Sequence, residues 1–182
     1  MKTGDIINSV GQFSQTDIEL FGRYSERRTL DKNDVLLKQT EVCKSFYYIL
    51  SGSFFQFQTK ETIENIIDLH VQDEWMFNQQ SLTEQSPSDT TLKAFSKSEI
   101  IELDLNSLHI LVSKSPSFLQ FASILNQTKR RTSFYDNALN PADKYNFIHA
   151  YKPELIKVFP IKMIASYVKI APETLSRVRA SF

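Results

Sequence analysis

Pro160-Ile-Lys-Met-Ile-Ala-Ser-Tyr-Val-Lys-Ile-Ala-Pro-Glu-Thr-Leu-Ser-Arg-Val-Arg-Ala-Ser-Phe182 reads as two short helices joined by a tight turn. Pro160 suits the first turn of a helix, where a missing N–H costs nothing. Ile161, Ile164, Ala165 and Val168 fall on one helical face. Lys169-Ile170-Ala171 forms the turn, and Pro172 opens a second helix whose Leu175 and Val178 face the first. Ala165 stands where the helices cross most closely, and a larger side chain would push them apart. The turn position that favours glycine, because it needs positive φ, holds Lys169. Ala171 is a weak N-cap, costing about 1 kcal/mol relative to Ser or Thr. The spacing is that of a DNA-binding helix-turn-helix. The outer face carries Glu173, Thr174, Ser176, Arg177 and Arg179, types that hydrogen-bond base edges and phosphates. Lys162, Lys169 and Arg179 are expected on phosphates, and Glu173, Thr174 and Arg177 on bases.

Charge supports this end of the chain as a polyanion-binding module. Residues 140–182 carry 7 Lys+Arg against 3 Asp+Glu, net +4, whereas residues 1–139 carry 14 against 18, net −4. The whole chain of 182 residues is 41% hydrophobic with 14 Phe, enough for a sizeable core. It has no run of 18 apolar residues, so no membrane span is expected, and its first residues lack a signal-peptide pattern. The single cysteine, Cys43, excludes an intramolecular disulfide. These features suit a cytoplasmic location. All four glycines lie at or before Gly52, so a glycine-rich phosphate loop cannot occur later.

Working back from the C-terminus, Asn140-Pro141-Ala142 breaks a long helical stretch that follows Pro116. Phe118, Phe121, Leu125, Thr128, Thr132, Tyr135 and Leu139 recur along it at alternating steps of three and four, a heptad seam. The seam is read as a dimer interface; an amphipathic helix packed on its own domain is the alternative. Residues 29–104 alternate short β-rich runs with turn signals: 35–38, 45–50, 54–58, 63–70, 90–95 and 99–103. Ser51-Gly52-Ser53 reads as a tight hairpin. So many short strands predict a sandwich or jelly roll. Thr16 and Glu19 have capping-box spacing and predict a short helix over 16–28.

The order of short helix, β-roll, heptad helix, proline break and helix-turn-helix resembles the Crp/Fnr family of bacterial transcription regulators over essentially the whole chain. The residues that carry it are Phe46-Tyr47-Tyr48-Ile49-Leu50-Ser51-Gly52, Ile164-Ala165-Ser166-Tyr167-Val168 and Pro172-Glu173-Thr174-Leu175-Ser176-Arg177. The last run is similar to the family's recognition helix, in which a Glu and an Arg four residues on read bases. The resemblance implies an α+β chain in three parts. Residues 1–113 would be a cyclic-nucleotide-binding-like β-roll (jelly roll) domain. Residues 114–139 would be a dimerisation helix, and residues 140–182 a small helix-turn-helix domain. It implies double-stranded DNA, a second copy of the chain and RNA polymerase as partners, with an unidentified small-molecule effector.

Two departures stand out. Where cyclic-nucleotide binders of the family carry a Gly-Glu pair for the ribose and an Arg-Ser pair for the phosphate, this sequence has Phe77-Asn78 and Ser88-Asp89. An anionic phosphate wants a guanidinium fork or free amides, and Asp89 would repel it. The effector is therefore not expected to be cyclic AMP, and Trp75, Met76, Phe77, Asn78, Ser88 and Asp89 are the candidate effector pocket. Only Ala180-Ser181-Phe182 follow Arg179 in this sequence, so the wing found after the recognition helix in many members is not expected here. His70, His109 and His149 have no metal-site spacing, and no catalytic constellation is evident. The reading is a homodimeric DNA-binding regulator without cofactor or metal, not an enzyme. The rival is a ligand-sensing or protein-interaction module of the same fold that does not bind DNA.

Overall fold

A computed structural model describes residues 3–125 and 139–180. Eight strands form two four-stranded sheets: β1 (Glu26–Leu30), β8 (Ser98–Asp104), β3 (Ser45–Ser51) and β6 (Trp75–Met76) in one, and β2 (Val35–Leu37), β7 (Thr91–Ala94), β4 (Ser53–Lys60) and β5 (Ile63–Val71) in the other. Every pairing within the sheets is antiparallel. The expected β-sandwich is present, and the six anticipated runs are all strands.

Three local expectations are corrected. Ser51-Gly52-Ser53 is not a hairpin, because β3 and β4 belong to different sheets and the chain crosses between layers there. Gly52 has φ +90, and a Cβ on it would meet the Lys97 carbonyl at 2.7 Å, so the crossing needs glycine. The expected helix over 16–28 is α2 (Gln15–Tyr24), after the short α1 (Thr3–Asn8). Its capping box is Ser14 with Asp17 rather than Thr16 with Glu19. Glu26-Arg27-Arg28 is strand, paired along β8, with Arg27 on Glu99 and Arg28 on Glu102.

The first core lies between the sheets and under α2. It extends to α4 (Leu105–Lys114) and a 3-10 helix at Pro116–Phe121. Phe121 packs on Phe21 and Trp75 at 6.0 and 5.5 Å between ring centroids, and Phe118 on Phe13 at 5.4 Å. The segment is stapled further by Gln120, whose side chain accepts from the Gln12 N–H and donates to the Gln12 carbonyl. Phe118 and Phe121 are 0% and 1% exposed. Their expected place in a dimer seam is therefore corrected: the three-four spacing there serves the chain's own core. Leu125 is partly buried against that core, and Thr128, Thr132 and Tyr135 lie outside the described residues.

Four helices follow: α5 (Pro141–Tyr151), α6 (Pro153–Val158), α7 (Ile161–Tyr167) and α8 (Pro172–Ala180). They form a second core with Phe55, Phe57, Ile66 and Leu69 of β4 and β5. Phe159 meets Phe95 at 4.9 Å between centroids. The β4–β5 ladder slips one residue between Gln56 and Phe57, and beside that bulge the Ile66 N–H donates to Ser166 Oγ of α7 at 3.0 Å.

Candidate nucleic-acid interface

The α7–α8 surface is built by small-residue packing and one strained turn. Ala165 of α7 and Leu175 of α8 are both 0% exposed, and Val178 packs against the same cluster. The chain leaves α7 through a complete Schellman closure: the Ile170 N–H donates to Ala165 O at 3.0 Å and the Lys169 N–H to Ser166 O at 3.2 Å. That closure requires a left-handed residue, and Lys169 adopts it with φ 57. The Val168 carbonyl is satisfied from outside. Lys144 of α5, only 8% exposed, donates from Nζ to Val168 O at 2.8 Å. A cation at a helix C-terminus is also favoured by the helix dipole. Sequence reading gave Lys144 no role, because a lysine's destination in the fold leaves no mark on local spacing.

The outward face of α8 carries Glu173, Ser176, Arg177 and Arg179, all exposed, and the half-buried Thr174. Arg177 Nη2 points to Thr174 Oγ1 at 3.5 Å. Lys162 and Lys169 are exposed beside them. Lys162, Glu173, Ser176 and Arg177 share one open hollow, floored by Ile161 and Pro172. Thr174, Lys169 and Arg179 stand outside that lining. α7 and, to a lesser extent, α6 pack on β5. The arrangement presents a guanidinium, a carboxylate and a hydroxyl on one helix with an ammonium at its edge, the donor and acceptor set of base-edge and phosphate recognition.

The candidate effector residues form no such open site. Trp75, Met76 and Phe77 are 6%, 1% and 3% exposed and belong to the first core, so their expected role as pocket lining is corrected. Phe77 packs on Phe46 at 5.0 Å and Trp75 on Tyr48 at 5.1 Å between centroids. Burial, with Asp73 alongside, pushes the Tyr48 phenol up to about 12, so it stays neutral. Asn78 caps α3 (Gln79–Glu84), accepting from the Ser81 N–H at 2.9 Å. Its amide nitrogen faces Ser88 Oγ at 3.0 Å, Asp89 Oδ1 at 3.2 Å and Thr90 Oγ1 at 2.7 Å. Gln56 Nε2 reaches the same Thr90 Oγ1 at 2.6 Å. Asn78 and Ser88 are buried, and these groups answer one another's hydrogen bonds. Gln56 and Thr90 were missed by sequence reading; a lone Gln inside Phe54-Phe55-Gln56-Phe57 was the available signal.

Residues 27–115, which run from β1 to the end of α4, match the family model of the cyclic nucleotide-binding domain. No curated protein matches the chain significantly in sequence. Among solved structures, it is similar to FixK2 from Bradyrhizobium japonicum, with TM-score 0.71, 10% identity, and coverage of 86% of this chain and 83% of that one. It is similar to the catabolite activator protein of Thermus thermophilus, with TM-score 0.60, 17% identity and coverage of 97% and 85%. It is also similar to the c-di-GMP-responsive global regulator CLP of Xanthomonas campestris, with TM-score 0.62, 19% identity and coverage of 92% and 91%. These neighbours are regulators of the CRP/FNR type. At such identities they establish a shared fold. The Asn78 amide is engaged by Ser88, Asp89 and Thr90, so the groups around it are occupied with one another. Among the described residues no helix is long and apolar enough to cross a membrane, and no group of His, Cys, Asp and Glu could hold a metal ion.

Proposed function

We propose that this chain is a sequence-specific DNA-binding transcription regulator that acts as a homodimer. In this reading α7 and α8 are a helix-turn-helix and α8 lies in the major groove. Glu173, Thr174 and Arg177 face bases, while Lys162, Lys169 and Arg179 hold phosphates. Ser176 completes the polar face. The observation that carries the reading is the exposed Glu173–Arg177 face beside Lys162, on a segment of net +4. Docking through α7 leaves that face open. The β-roll would be the allosteric module. It sets the placement of two α8 helices, which must reach successive major grooves about 34 Å apart. Leu125 and the seam residues that follow it would supply the dimer contact, and RNA polymerase is a further partner of such a regulator.

Selecting bound sequences from a pool of random duplexes with the purified protein tests the reading. Enrichment of a two-fold symmetric site supports it. Binding without enrichment, or no binding at low salt, would leave a protein-interaction module. The effector, in this reading, is not a cyclic nucleotide. Titration calorimetry with cyclic AMP and cyclic GMP is expected to give no heat of binding at micromolar protein.

A further inference from the structure

His70 is a deeply enclosed ionisable side chain that this function leaves unused. It is 2% exposed, and neither ring nitrogen makes a hydrogen bond. Each nitrogen instead faces a carboxylate: Nε2 lies 3.8 Å from Asp68 Oδ2, and Nδ1 lies 3.7 Å from Glu74 Oε2. Asp68 is on the same strand, and Glu74 is in the turn between β5 and β6. On β4 the facing residues are Phe54 and Gln56, which carry no charge. Of the helices packed on β5, α7 brings the exposed Lys162 and the buried Tyr167, and α6 brings the exposed Glu154 and Lys157, which pair with each other at 2.8 Å. From the end of α5 comes Lys152, whose Nζ lies 2.8 Å from Glu74 Oε1. Glu74 is thus shared between an imidazole in the β-roll and an ammonium on the helical unit.

A buried polar group without a hydrogen bond requires an explanation. We propose that His70 is a proton-operated latch: its protonation draws Glu74 away from Lys152 and loosens the C-terminal helices from the β4–β5 face. With a neutral ring, Glu74 answers Lys152 and the helices are clamped at two points, Lys152–Glu74 and Ser166–Ile66. With a charged ring, both N–H groups face carboxylates, and a second cation stands against Lys152 around one carboxylate. Removing Lys152 relieves that repulsion. By linkage, acid favours undocking. Histidine is the side chain whose charge ordinarily changes in the range of about pH 5–8. The signal the latch reads is therefore the proton itself, whether or not α8 reads DNA.

Two-dimensional NMR of the full chain between about pH 8 and pH 5 tests this range. The Ile66 amide, bonded to Ser166, reports docking. The Asn33 amide, bonded to Ala94 O at 2.9 Å, reports the integrity of the roll. The exposed His149 and His109 rings serve as independent references. The Ile66 resonance is expected to move with the midpoint of the His70 ring while Asn33 stays in place. In His70→Gln the Ile66 step disappears. Lys152→Met leaves the buried imidazole intact, and there too the step disappears, which decides the matter if His70→Gln does not fold. An Ile66 amide that ignores the His70 midpoint overturns the latch, as does a step that survives either substitution.

Discussion

At the scale of single residues, Lys169 and Arg177 separate structural cost from recognition. Lys169 holds φ 57 to close the end of α7. A side chain in the left-handed region costs about 1–2 kcal/mol, part of which glycine returns through the greater freedom of the unfolded chain. Lys169→Gly is therefore expected to raise unfolding stability by about 0.5–1 kcal/mol in urea titration. It should also lower the salt slope of DNA binding by about one, because a phosphate contact is lost. A stability unchanged or reduced would show that Lys169 holds the turn by some other contact. Arg177→Ala is expected to cost about 1–3 kcal/mol on the preferred site and to relax one base pair. Lys162→Ala should weaken all duplexes alike. If Arg177→Ala keeps both affinity and preference, α8 is not the reading helix. The sequence disclosed this surface because caps, prolines and polar faces act locally. It did not disclose Lys144 or Gln56, whose partners Val168 and Thr90 lie 24 and 34 residues away.

At the scale of elements, the helix caps of the β-roll set its acid limit. Asp104 opens α4 by accepting from the Asn106 and Ser107 N–H groups at 2.9 and 3.0 Å. Burial pushes its carboxyl up, but the bonds from Ser107 and Asn106 outweigh that and hold it below the usual carboxylate range. Asp17, in the capping box of α2, is held low chiefly by Ser115, with Ser14 adding to it against the effect of burial. A depressed folded value means that the stabilisation is present above the ordinary carboxylate value of about 4 and is lost as pH falls through the folded value. Thermal melts should decline below about pH 4, and Asp104→Ala should both cost about 1 kcal/mol at neutral pH and flatten that decline. A melt of Asp104→Ala as steep in acid as the parent's would exclude this cap as a cause. Strands were legible from β-rich runs, but their partners were not. A Ser-Gly-Ser turn looks the same whether it joins neighbours in one sheet or, as at Gly52, steps between two. Glu26-Arg27-Arg28 lacked an apolar signal because β1 is an edge strand, sided by ion pairs to Glu99 and Glu102.

At the scale of the whole molecule, the start of the heptad stretch belongs to the roll. The spacing of Phe118, Phe121 and Leu125 told which face is apolar, but a three-four repeat is common to a dimer seam and to a helix on its own core. Phe121→Ala is expected to lose about 3–5 kcal/mol of stability through a core cavity, without a specific effect on assembly. Leu125→Glu, at the edge of that core, should leave the chain folded and shift sedimentation at micromolar concentration from dimer to monomer. A parent protein that already sediments as a monomer would remove the dimer from the proposal. The second core has a consequence for how the chain acquires its shape. Helices α5 to α8 hold 11, 6, 7 and 9 residues. Isolated helices shorter than about 12–15 residues are marginal in water. Their order is borrowed in part from Phe55, Phe57, Ile66 and Leu69, which a finished β4–β5 hairpin must first present. The sheet is thus a template on which the tail matures. A tail released from that template becomes a substrate for proteases before it becomes a free domain.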